Sequence, residues 1–146
     1  MDDETGFKEN SQAVQSHLSI MQSVIRRMAS NSASSKAWCI TLVSAILVIV
    51  ADKGNPEFAW IALIPTLLFL VLDAYYLGLE KGFRNSYNDF IGKLHSRNIG
   101  SSDLFAVVPK GNQLKLFFES ILSFSVWPFY GTLIVMIYIT KQCVIN

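Results

Sequence analysis

The chain has 146 residues, room for one compact unit rather than two domains. Apolar residues make up 51% of it and charged ones only 16%, against about 25% charged in an ordinary soluble domain. The net charge of +1 carries no basic face for a nucleic acid, so nucleic-acid binding is excluded.

The first forty residues open on Met1-Asp-Asp-Glu and do not read as a cleavable signal peptide. Within them, Val14, Leu18, Met21, Ile25 and Met28 recur at steps of four and three, an a/d stripe about two heptads long. Residues 1–35 are therefore expected to hold an amphipathic helix on the cytoplasmic side. Three apolar segments follow. Ala37 to Ala51 is fifteen residues between Lys36 and Asp52, short of the roughly 20 that a bilayer core asks for. Snorkelling of Lys36 and extension through Ser34 and Ser35 still allow a span. Asn55-Pro56 supplies a bend. Phe58 to Leu79 is interrupted only by Asp73. Together residues 36–79 read as a transmembrane helical hairpin, with Trp38 and Trp60 as interfacial anchors.

Past this hairpin the pattern becomes amphipathic again, and residues 80–115 read as a cytoplasmic helix and loop. Tyr76, Leu79 or Glu80, Phe83, Tyr87, Phe90 and Leu94 form a stripe that matches the N-terminal one. The two helices are expected to zip into a stem, Phe83 and Tyr87 meeting the N-terminal stripe, with pairing inside one chain and pairing between chains both open. On another face Ala74, Gly78, Gly82 and Ser86 stand four apart, a small-residue stripe that lets a second helix approach closely. Glu80 and Arg84 form an i,i+4 pair. The irregular stretch 98–112 covers a helix end or senses a nucleotide or partner. Residues 116–146 hold a third membrane segment, Ser120 to Thr140, which contains Trp127-Pro128. It is expected to be a kinked span, or an interfacial helix leading to a short steep one.

Ten of the twelve Lys and Arg residues lie before the first span or between the second and third. The positive-inside rule then places the N-terminus in the cytoplasm and, provided the third segment crosses, the C-terminus outside, as expected of a multi-pass membrane protein. Arg26, Arg27 and Lys36 read as charges available to anionic lipid headgroups, or as the topology signal alone.

Asp73 is the sharpest single residue, because a carboxylate near bilayer depth is costly without a partner or water. Three readings are open: a carboxylate at the interface satisfied by water, Tyr76 or Arg84; a ring of carboxylates lining a polar path with Tyr76 and Glu80; a proton relay. His17 and His95 stand alone, and Cys39 and Cys143 are too far apart along the layout to pair. No metal-ligand spacing, phosphate loop or nucleophile constellation occurs, so the expectation is a non-enzymatic protein without cofactor or metal.

The stretch Met21-Gln-Ser-Val-Ile-Arg-Arg-Met-Ala-Ser-Asn-Ser, the segment Trp38 to Ala51, the bend Asn55-Pro56 and the motif LDAYYLxxExxFRxxY from Leu72 to Tyr87 resemble a widespread family of small, uncharacterised bacterial membrane proteins. The resemblance covers roughly residues 15–95. The layout is also similar to the two-helix membrane effectors of bacterial anti-phage signalling systems, which sense a signal, often a nucleotide made by a partner enzyme, and then compromise the inner membrane. This chain departs from them in carrying no recognisable appended sensor domain. The likeness implies a homo-oligomeric inner-membrane effector, with a soluble signalling or sensor protein as a possible partner beside the lipid bilayer. A non-catalytic membrane anchor that docks a soluble partner is the alternative. A phage holin fits the size but not the uncharged final residues.

Overall fold

A computed structural model describes residues 11–144, and among them every regular element is helical. Four α-helices carry the fold: α1 (Gln12–Lys53), α2 (Leu63–His95), α3 (Gln113–Ile121) and α4 (Trp127–Val144). The all-α expectation holds. Calls that fall on residues 1–10 and 145–146 lie outside the described residues.

The first helix starts where the Ser11 side chain accepts the Val14 amide. It runs unbroken for 42 residues, about 63 Å. It stops at Gly54, whose left-handed φ of 64° lets its N–H bond back to Val50 and Ala51. Asn55-Pro56 then reverses the chain, and Pro56 starts a 3₁₀ helix (Pro56–Ala62) that leads directly into α2. Ala59 and Ala62 in that tight turn are fully buried, small enough for close packing on α1 and α4.

The antiparallel α1–α2 hairpin carries two separate apolar cores. The upper one joins Cys39, Val43, Leu47 and Val50 of α1 to Ala59, Ala62 and, from α4, Tyr130, Leu133 and Ile137. The lower one joins Val14 and Met21 of α1 to Phe90 and Leu94 of α2, closed by Ile99 and Leu104 from the loop after α2. The zipped stem therefore forms within one chain. Val14, Met21 and Met28 are buried, while Leu18, Ile25, Phe83 and Tyr87 are half-buried.

After α2 the chain turns at Arg97, with φ of 55°, and a strap of residues 98–112 climbs back along the helix. Lys110 N–H donates to the Gly82 carbonyl at 2.9 Å, and Ser86 Oγ donates to the Val108 carbonyl at 2.5 Å. Asn112 caps α3, which packs antiparallel on α2. The expected proline kink does not occur. The chain breaks instead at Leu122–Val126, and Pro128 sits second in α4, in the first turn, where the missing N–H costs nothing. The last turn of α4 returns to the hairpin bend: Lys141 Nζ lies 3.3 Å from Glu57 and 5.0 Å above the Trp60 ring. Helix α4 thus runs the full height of the upper core.

Two helical stretches, Gln12–Lys53 and Pro56–His95, are long and apolar enough to cross a membrane by length and composition. Around the upper core the outward side chains are themselves apolar; Val48 and Ile64 are each 68% exposed, and Ile40, Leu67, Val71 and Val135 are exposed beside them. A continuous apolar exterior of this kind marks a surface that meets something other than water.

Candidate functional site

Between the two cores lies a layer of polar side chains. Helix α1 buries one stripe along its whole length, and at the middle of that stripe the apolar residues give way to Ser32 and Ser35. Opposite them α2 presents Asp73, whose side chain is 0% exposed. Ser32 Oγ donates to Asp73 Oδ1 at 2.5 Å, and Lys36 Nζ lies 2.6 Å from Asp73 Oδ2. Lys36 also donates to Ser32 Oγ at 3.4 Å, so the three groups close a ring. No donor is angled squarely at Oδ2, and the ammonium compensates that oxygen by its charge rather than by an aligned hydrogen bond.

Asp73 has a local partner in this arrangement, and it is Lys36. The sequence leaves Lys36 open to anionic lipid headgroups or to a topology signal alone. It turns inward instead, with only 20% of its side chain exposed, because Asp73 at the same height needs a cation. Neither Tyr76 nor Arg84 serves that purpose. Tyr76 is half-buried with its ring against Tyr75, and Arg84 pairs with Glu80 at 2.8 Å, as the i,i+4 spacing predicts. Asp73, Tyr76 and Glu80 share one helical face, yet Asp73 is sealed against α1 rather than set along an open passage.

Above the ring, Tyr130 of α4 donates to the Phe69 carbonyl at 3.0 Å. On α1, the distance from Lys36 to Asp52 is 16 residues, about 24 Å, against roughly 30 Å for a hydrocarbon core. In a bilayer the ring would sit at one edge of the apolar belt.

The small-residue stripe is occupied inside the chain. A side chain at Gly78 would meet the backbone of Leu116 and Phe117 in α3 at 3.3–3.4 Å, and one at Gly82 would meet Pro109 Cβ at 2.9 Å. Ala74 is buried, and Ser86 holds the strap. The close approach that the stripe predicts is made, within one chain, by α3 and the strap. Arg26 and Arg27 are exposed, about 15 Å along α1 from Lys36 and thus well below the apolar belt.

A second polar cluster sits at the foot of the stem. His17 is 1% exposed, its ring 4.4 Å from that of Phe90, and its Nδ1 accepts the Phe105 N–H at 2.9 Å. Lys93 pairs with Asp103 and Lys110 with Asp89, both at 2.7 Å. The lysine partners hold both carboxyls below the usual carboxylate range, and Asp103 gains further from the Gly100 amide. Burial pushes His17 below its ordinary value, partly offset by Asp103. Among the described residues no group of three or more His, Cys, Asp or Glu could hold a metal.

Comparison with protein-family models, with curated proteins and with solved structures returned no match.

Proposed function

We propose that the chain is an integral inner-membrane effector, N-terminus in the cytoplasm, whose resting form is closed by the Lys36–Asp73–Ser32 ring and which perturbs the membrane, as a homo-oligomer, once a signal displaces its stem. The observation that carries this reading is the buried carboxylate itself. A sealed charge at the edge of an apolar belt is costly to hold, and an intramembrane ionisable group is by default a candidate functional site. The ring also lies between the stem core and the upper bundle, where movement of one relative to the other is felt first. Separation of α1 from α2 would bare Asp73 to neighbouring protomers, which is how a sealed acid becomes part of a polar path.

A second reading, a non-catalytic anchor docking a soluble partner through the stem, is favoured by one observation: the stripe Ala74, Gly78 and Gly82 is already covered within the chain. One experiment separates the two. Membrane potential is followed by a voltage-sensitive dye in bacterial cells while wild type, Asp73→Ala or Lys36→Met is induced. The effector reading expects depolarisation that changes with Asp73→Ala at equal protein level and is strongest for Lys36→Met, in which the acid has lost its counter-ion. Potential untouched by all three chains at normal expression sinks it and leaves the anchor.

A further inference from the structure

At the foot of the stem the strap is fastened to both helices. On the α2 side the fasteners are ion pairs and carbonyl contacts: Asp103 with Lys93, Lys110 with Asp89, and the Val108 carbonyl with Ser86. On the α1 side Ile99 and Leu104 join the apolar core of Val14 and Met21, and a hydrogen bond runs from Phe105 N–H to His17 Nδ1 at 2.9 Å. Phe105 adopts a φ of 63°, a left-handed conformation that a bulky non-glycine residue seldom takes. The strap therefore holds Phe105 in an unfavourable backbone state at the point where its amide meets His17.

That bond fixes the tautomer. A nitrogen that accepts an amide N–H carries no proton, so the neutral ring keeps its proton on Nε2. The same side chain lines a cavity of about 320 Å³ between stem and strap, shared with Asp89, Lys93, Ser102, Asp103 and Lys110. We infer that the His17–Phe105 contact is an acid-sensitive latch: protonation of His17 at Nδ1 turns the acceptor of the Phe105 amide into a second donor and releases the strap from α1.

The charged groups around the ring set the direction of the response. Asp103 on the strap and Asp89 on α2 face the ring side of the cavity as anions; Lys93 on α2 and Lys110 on the strap face it as cations, each already paired with one of those acids. Asp103 favours the imidazolium, whereas burial opposes it and dominates. With the latched-state value of His17 lowered, a freed strap takes up the proton more readily than a fastened one. Latching is thus fully present above the ordinary histidine value near 6.5 and weakens as pH falls below it, down to the lowered value. Release would not stay local. The strap seats Pro109 against Gly82, binds the Gly82 carbonyl through Lys110, and leads straight into α3. The inference does not depend on the membrane reading and stands or falls separately from it.

The full chain in lipid nanodiscs, labelled with ¹⁵N-imidazole histidine, is titrated from pH 8 to pH 5, and amide exchange across residues 98–112 is measured in parallel. The expected result is a His17 midpoint below the ordinary histidine value of about 6.5, and loss of Phe105 protection by at least tenfold beyond the intrinsic change, with the same midpoint as His17. His17→Gln places an amide oxygen as a non-titrating acceptor and should keep the strap protected down to pH 5. Phe105 protection that ignores pH, or that is lost at a midpoint different from that of His17, overturns the latch, as does an unchanged pH response in His17→Gln. Should that variant fail to fold, the comparison of the two wild-type midpoints decides alone.

Discussion

Replacing Lys36 by methionine removes the cation that, among the described residues, pairs with a fully buried carboxylate, and the cost can be worked from the ring geometry. Removing one partner of a buried ion pair typically costs about 3–5 kcal/mol, because the remaining charge is left uncompensated. Lys36 is one-fifth exposed and the ring lies at the edge of the belt, so water relieves part of this, and about 2–3 kcal/mol is expected. The reverse change, Asp73→Leu, leaves an ammonium on a flexible stem that can swing outward, and about 1–2 kcal/mol suffices. The double variant Lys36→Met/Asp73→Leu leaves neither charge stranded and should lie within about 1 kcal/mol of wild type, since apolar replacement of a buried pair is often neutral. For a double variant equal to wild type the cycle then yields a coupling energy of about 3–5 kcal/mol. Reversible unfolding in mixed micelles, followed by circular dichroism over an SDS titration, measures all four corners. Single changes that simply add, to within about 0.5 kcal/mol, would refute the ring as an energetic unit and leave Lys36 an ordinary surface cation.

Two further outcomes follow from other parts of the fold. Alanine at Gly82 would place Cβ 2.9 Å from Pro109 Cβ, whereas alanine at Gly92, in the same helix, meets nothing within 4 Å. Both gain about 1 kcal/mol of helix propensity, but only Gly82→Ala also bears an overpacking cost of about 1–3 kcal/mol, so it should be less stable than Gly92→Ala by that margin in the same unfolding assay. Equal stabilisation would mean the strap does not rest on α2. Cys143 is exposed near the hairpin bend and Cys39 is buried, so a membrane-impermeant maleimide should label wild-type spheroplasts at Cys143 and leave Cys143→Ser unlabelled. Labelling that appears only after lysis would place the end of α4, and with it the hairpin bend it contacts, on the cytoplasmic side and overturn the proposed topology.

The helical class, the hairpin and the stem were legible because hydrophobic period and composition carry them directly. Val14, Met21, Phe90 and Leu94 announce the lower core by spacing alone. Counted by apolar residues the stripe on α1 ends at Met28, because the next inward positions are Ser32 and Ser35, and serine breaks an apolar count without breaking the face. The partner of Lys36 is hidden for a related reason: local pattern offers a flanking lysine to the headgroups and says nothing of what stands across the hairpin. A register argument would have found it. Lys36 lies eighteen residues before Gly54 and Asp73 lies eighteen after Asn55, so an antiparallel hairpin turning at Gly54-Asn55 brings the two to one height. Val14 with Leu94 and Met21 with Tyr87 obey nearly the same sum. What no pattern could supply is the course of the strap. Two of its fastenings run through backbone N–H groups, Lys110 to the Gly82 carbonyl and Phe105 to His17, which leave almost no trace in side-chain chemistry, and its ion pairs to α2 follow no recognisable spacing.

The consequence of that register is a molecule in two halves joined at a charged seam. Each core is apolar and would pack by area alone, so neither specifies where along the other helix it should sit; a slip of one turn exchanges leucine-like surface for leucine-like surface. The Lys36–Asp73–Ser32 ring removes that freedom, since a slip by one turn, about 5.4 Å, strands a carboxylate in an apolar layer. The ring therefore selects one alignment of α1 on α2 at little net gain in stability. The same property makes it the place where a displacement of the stem has the largest effect on the bundle above, because no intermediate alignment keeps Asp73 satisfied. A seam that tolerates only paired or parted states is a two-state element, and the foot of the stem, where His17 fastens the strap, is the part of the chain best placed to bias it.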